Sequence, residues 1–143
     1  MDHADKLTRF SVSMESGLAC QFDEMVKTKG SVNRSQAITQ LVKTALIDHY
    51  AAEESYEIAG SITLVYDHHQ RQIQETLTSI QHNSGDLIIS AMHVHLDHHN
   101  CMELLAVRGP VGAVKQMSDQ LIATHGVKHG RLNITTTGKE FTK

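Results

Sequence analysis

Polar and apolar positions alternate over residues 9–14, RFSVSM, with Arg9, Ser11 and Ser13 on one side and Phe10, Val12 and Met14 on the other. A period of two predicts a short strand. The period then changes. Leu18, Phe22, Met25 and Val26 recur at helical spacing through MESGLACQFDEMVKTKG, and Gly30 follows a basic last turn as a stop signal. A second helix is predicted from Asn33, a good N-cap with Gln36 at capping-box spacing, and its apolar face is Ile38, Leu41, Val42, Ala45 and Leu46. The first part of the chain thus reads strand, helix, helix. Its lone strand has no partner nearby, and an unpaired edge is a liability. It is expected to pair with the same strand of a second chain, the alternative being that it joins a sheet downstream.

After the acidic stretch AAEESYE (51–57) the pattern changes again. IAGSITLVY (58–66) predicts a buried strand, and HHQRQIQETLTSIQH (68–82) a helix with Ile73, Leu77 and Ile80 inward, broken by Ser84 and Gly85. Strands are predicted over 86–97 and 101–107, close enough to form a hairpin. Gly109 and Pro110 open a helix carrying Val111, Val114, Met117, Leu121 and Ile122, closed by Gly126 ahead of a last strand over 127–136. The order β-α-β-β-α-β is the ferredoxin-like plan. The predicted class is α+β: a first domain over 1–52, a linker over 53–60, a second domain over 61–137 and a tail over 138–143.

Composition narrows the function. The net charge is −3 over 143 residues, and residues 1–50 are neutral, with six Lys/Arg against six Asp/Glu. This is not the basic footprint of a non-specific nucleic-acid binder, so any DNA binding has to rest on local geometry and base contacts. The two cysteines, Cys20 and Cys101, give no disulfide framework. MDHADKLTRF lacks the apolar core of a signal peptide, and no apolar run approaches a membrane span. A cytoplasmic protein is expected, with Cys20 a buried apolar residue among Leu18 and Phe22.

Residues 92–101, MHVHLDHHNC, hold four histidines and a cysteine. Residues two apart in a strand share a face, so His93 and His95 project together. If the hairpin loop centres on His98, Cys101 falls opposite His95 on that same face. Two imidazoles and a thiolate then converge, with His98 and His99 as turn residues. The best fourth ligand is His82, at the end of the preceding helix; spacing does not say whether it reaches its own strand or another subunit's. Such a set suits Zn²⁺ as a tetrahedron, or Ni²⁺ or Cu²⁺ in a planar arrangement. HExxH, a glycine-rich phosphate loop and a serine elbow are all absent from the sequence. Glu103 is the one obvious base near the site, and a non-enzymatic role is expected.

The strand with Arg9, Ser11 and Ser13, the NRSQAI helix start (33–38), SIQH (79–82), HVHLDHHNC (93–101) and GVKHG (126–130) together resemble the NikR-type nickel-responsive transcriptional regulators. The match is colinear over nearly the whole chain. Its most specific part is H-x-H-x₅-C, with a Gln-His pair whose histidine lies eleven residues before the first ligand. The resemblance implies a ribbon-helix-helix DNA-binding domain followed by a ferredoxin-like ACT domain. It implies a homotetramer, with one square-planar Ni²⁺ per subunit at the interface between ACT domains. His93, His95 and Cys101 would come from one subunit and His82 from another, with Gln81 and Glu103 supporting the ligands from behind. Arg9, Ser11 and Ser13 would read bases in the major groove of a palindromic operator, with Ser standing where Thr is usual. Asn33 and Arg34 at a helix N-terminus suit a phosphate, and Arg71 a further DNA contact. Two departures stand out. Gln36 and Gln40 replace acidic residues that help some members hold a secondary cation, which weakens that site here. Gln70 replaces a DNA-contacting Lys. The implied function is a nickel-dependent repressor; the alternatives are a regulator of the same build sensing Cu²⁺ or Zn²⁺, and a metal-binding protein that does not bind DNA.

Overall fold

The computed structural model describes residues 7–31 and 33–141. They form two compact units: residues up to Leu46 together with Phe141, and Ile47–Glu140.

The first unit is a pair of helices, α1 (Ser16–Thr28) and α2 (Arg34–Tyr50, which runs on into the second unit). Helix α1 stops as its sequence requires. Gly30 takes a left-handed φ of 67°, and the Ser31 N–H reaches back to the Val26 carbonyl at 3.1 Å, satisfying a terminal acceptor. At the start of α2 the Asn33 side chain accepts the Gln36 N–H at 2.9 Å, the expected cap. Arg34 forms a two-pronged ion pair with Asp23, both contacts at 2.6 Å, tying α2 to α1.

What this unit fails to bury is informative. Val26 and Ala37 are its buried apolar residues, whereas Phe10 is 72% exposed, Leu18 54%, and Leu41 and Val42 48% each. Cys20 is exposed too, correcting the expectation of a buried residue: within one chain nothing covers that part of α1. Residues 7–15 join no ladder, and the sheet described next takes no strand from them. The downstream-sheet alternative is thereby removed.

The second unit contains β1 (Glu57–Asp67), α3 (Ile73–Asn83), β2 (Ile88–His95), β3 (Asn100–Pro110), α4 (Val111–Ile122) and β4 (Val127–Thr135). The sheet order is β2-β3-β1-β4 and every pairing is antiparallel. Alternate residues of β1 (Ile58, Ile62, Leu64, Tyr66) and β3 (Cys101, Leu105, Val107) are buried in one core with Ile73 and Leu77 of α3 and Val111, Val114, Met117 and Leu121 of α4. The packing is close at Gly130, where a Cβ would lie 2.5 Å from Ile122 and 2.9 Å from Leu64.

Several boundaries differ from expectation, and three stand out. β1 begins at Glu57, inside the span expected as linker. α4 ends at Ile122, before Gly126. The largest difference is that α3 begins at Ile73 rather than His68. Asp67 ends β1 by accepting the His69 N–H at 2.9 Å on its side chain and the Gln70 N–H at 3.1 Å on its carbonyl. This is an Asx-type turn. Gln72, at φ 69°, then redirects the chain into the helix. His68 and His69 are therefore turn residues at the end of a central strand, which matters for the site.

Candidate metal centre

The tight hairpin between β2 and β3 sets the register. Asp97 Oδ1 accepts the N–H groups of His99 and Asn100, both at 2.8 Å, and the Asn100 side-chain amide donates to Asp97 Oδ2 at 2.8 Å. With the turn held this way, His95 pairs with Cys101 and His93 with Glu103, while Tyr66 of β1 pairs with Cys101 from the other side. These hydrogen bonds hold the Asp97 carboxyl down at about 2.

Cys101 is fully buried, and its Sγ lies 3.4 Å from His95 Nδ1 and 3.2 Å from His68 Nδ1. The possible ligand atoms of His68, His95 and Cys101 all lie within 4.8 Å of one another, the one such gathering of three donors among the described residues. His68 is the residue sequence reasoning missed. A signal was available: the apolar stripe of α3 begins only at Ile73, and VYDHH is a strand running into an Asp-initiated turn.

His93 is placed differently. It is exposed on β2, its ring centroid 5.5 Å from that of His95. Its Nδ1 lies 3.4 Å from the Tyr66 hydroxyl, which donates to Glu103 Oε2 at 3.2 Å. Gln81 Nε2 donates to the other oxygen of Glu103 at 2.8 Å. Gln81 and Glu103 thus stand behind His93 through Tyr66. His82, the neighbour of Gln81, is exposed at the end of α3 and outside the His68–His95–Cys101 group. His98 contributes its carbonyl to His69 Nε2 at 2.8 Å, and the His99 ring meets His69 edge-on at 5.5 Å between centroids. Both remain turn residues.

The protonation states suit metal capture. Burial raises the Cys101 thiol above its ordinary value, helped by the negative charges of Asp67, Asp97 and Glu103. Burial also lowers His68, assisted by His69 and His95. The buried thiol therefore holds its proton until a metal displaces it. Two imidazoles and one sulfur from a single chain suit late first-row metals rather than Mg²⁺ or Ca²⁺.

Away from this centre, Arg9, Ser11 and Ser13 are exposed on the segment before α1, and Arg71 is exposed in the turn before α3. Arg34 is paired with Asp23, and Asn33 is engaged as a cap. A phosphate ligand for either has to compete with these bonds. Gln36 and Gln40 are exposed on α2. Among the described residues no helix is long and apolar enough to cross a membrane.

Comparison with known proteins bears on the identity of the metal. Residues 59–135 match the family described as the NikR C-terminal nickel-binding domain. Three relatives named for nickel-responsive regulation are similar over most of their length. The protein from Geobacter sulfurreducens is 48% identical over 133 residues, 93% of this chain and 96% of its own. That from Nitratidesulfovibrio vulgaris (Miyazaki F) is 45% identical over 134 residues, covering 94% and 96%. That from Thermococcus onnurineus is 44% identical over 136 residues, covering 95% and 99%.

Proposed function

Because the chain belongs to the NikR family of nickel-responsive regulators, we propose that it is a repressor that binds a palindromic operator when Ni²⁺ fills a site shared between subunits. The observation that carries this reading is the separation of donors around the hairpin. Cys101 and His95 converge in one chain with His93 beside them, whereas His82 is exposed at the end of α3, apart from them. An exposed imidazole held away from three donors is suited to close another copy's site. In this reading His93, His95 and Cys101 of one subunit and His82 of another hold one Ni²⁺ per subunit in a planar N₃S set. The second unit acts as an ACT-type domain that assembles the tetramer. The first unit acts as half of a ribbon-helix-helix dimer.

The uncovered apolar residues of the first unit support the dimer. Phe10, Val12 and Met14 alternate with Arg9, Ser11 and Ser13. Pairing this segment with its copy would bury the apolar side and leave the polar side for base edges in a major groove. Arg71 and the N-terminus of α2 would add phosphate contacts. The neutral charge of residues 1–50 makes non-specific DNA binding weak. Gln36 and Gln40 leave little charge for a secondary cation. Acting on DNA places the protein in the cytoplasm, and the role requires no catalysis.

Subunit mixing tests the shared site. H82A and C101A copies are each unable to form a complete site alone. Co-refolded, they regain nickel-thiolate absorption if His82 crosses between subunits. A mixture as silent as its parents overturns the arrangement.

A second reading rests on His68. It stands closer to Cys101 than His95 does, so a chain-local site of His68, His95 and Cys101 competes with the shared one. H68A that abolishes nickel binding while H82A leaves it intact favours this second site.

A further inference from the structure

We propose that Tyr66 is a positioning residue that fixes the tautomer of His93, keeping the proton on Nδ1 and the Nε2 lone pair free for the metal. The inference rests on the reading of His93 as a nickel ligand. Tyr66 lies at the end of β1, buried, and is assigned no part in that reading. Its hydroxyl sits between two groups, His93 Nδ1 at 3.4 Å and Glu103 Oε2 at 3.2 Å.

A phenol has one proton to give and lone pairs to receive with. The proton goes to the carboxylate, since a hydrogen bond to an ionised acceptor is the stronger choice. Glu103 is held in place for this by Gln81, which donates to its other oxygen at 2.8 Å. The phenol oxygen is left as an acceptor, and the group facing it is His93 Nδ1, which must then carry the hydrogen. The relay runs His93 Nδ1–H to Tyr66, Tyr66 O–H to Glu103, and Gln81 N–H to Glu103.

This matters because an exposed imidazole in water prefers the opposite tautomer, with the proton on Nε2. Left alone, His93 would spend most of its time with the ligating nitrogen blocked. Metal-bound histidines generally have their second nitrogen held by an oxygen acceptor, and loss of that partner weakens metal binding about 10–100-fold. Here the acceptor is a phenol aimed by a carboxylate, one step removed from the charge.

The test is nitrogen NMR of the ¹⁵N-labelled, metal-free full chain, read on the neutral form of the His93 ring as its own spectrum identifies it. Wild type is expected to show His93 protonated at Nδ1. Y66F is expected to move it mainly to Nε2 and to weaken Ni²⁺ binding roughly 10–100-fold, with stoichiometry unchanged. E103Q, which removes the charge that aims the phenol proton, is expected to leave a mixture of tautomers. It serves also if Y66F does not fold, a point settled by amide dispersion. Wild-type His93 protonated at Nε2, or the same tautomer in folded Y66F or E103Q as in wild type, overturns the proposal. The ligand reading fails separately: H93A binding Ni²⁺ as tightly as wild type would remove His93 from the site while the tautomer result stands.

Discussion

Nickel affinity is expected to climb steeply with pH, and Cys101 is the reason. In the proposed site the thiolate is the ligand, but burial first, and the charges of Asp67, Asp97 and Glu103 after it, raise this thiol above the ordinary 9.0. At pH 7 about one part in a hundred or less is thiolate. The ion therefore displaces a proton, and apparent affinity rises about tenfold per pH unit as long as the pH stays below the thiol value. His68 adds little to this slope, since burial and its neighbours lower it from its usual value. The assay is a competition titration against a chelator of known pH dependence, between pH 7 and 8.5, following the sulfur-to-nickel absorption. Wild type should gain about one decade per unit and release one proton per ion into weak buffer. C101A should lose both the band and the slope. The metal-free fold responds with the opposite sign. Its raised thiol contributes stability that is present below the unfolded value and lost as pH rises through the folded one, so the apoprotein weakens above about pH 9. A slope of zero in wild type, or one that survives in C101A, refutes the reasoning.

Other outcomes follow from the same structure. Leu105, fully buried two residues beyond Glu103 on β3, should cost about 2–5 kcal/mol when cut to alanine, read as a lower urea midpoint; a midpoint within error of wild type contradicts the core assignment. Replacing Arg9, exposed before α1, with alanine should abolish specific operator binding in a gel shift while nickel stoichiometry stays unchanged. The Asp97 carboxyl sits at about 2 against an ordinary 3.8. Its contribution to the hairpin is full above the unfolded value and is lost as pH falls from about 3.8 through about 2. Amide exchange at His99 and Asn100 should rise over that window in wild type and be high throughout in D97A.

Much of the second unit is legible in the sequence because its periods are clean. Ile58, Ile62 and Leu64 mark β1, and Val111, Val114, Met117 and Leu121 mark α4; all of them are buried. The pairing of His95 with Cys101 was readable too, since two strands so close leave few registers for the hairpin. His68 was not. HHQRQIQ is polar enough to pass as the first turn of a helix, and the late start of the apolar stripe at Ile73 is a faint cue beside the Asp67 turn and the left-handed Gln72 that the structure shows. The Tyr66–Glu103–Gln81 relay joins three separate elements, and no local spacing encodes it. The first unit shows the reverse. Its alternation over 9–14 reads as a strand, but one chain supplies no neighbour to pair with, and the same residues lie exposed and outside any ladder. The burial expected of Cys20 fails for the same reason: helical spacing identifies an apolar face but not what covers it.

The most direct test of nickel-dependent repression is operator affinity with and without the metal. A duplex would be selected from random sequence on the nickel-loaded full-length protein, and its binding measured by fluorescence anisotropy with saturating Ni²⁺ and again with a chelator. The account predicts a palindromic selected sequence and binding at least tenfold tighter with Ni²⁺, a coupling of about 1.4 kcal/mol or more. Equal affinity in the two conditions, or no sequence preference in the selected pool, would contradict it.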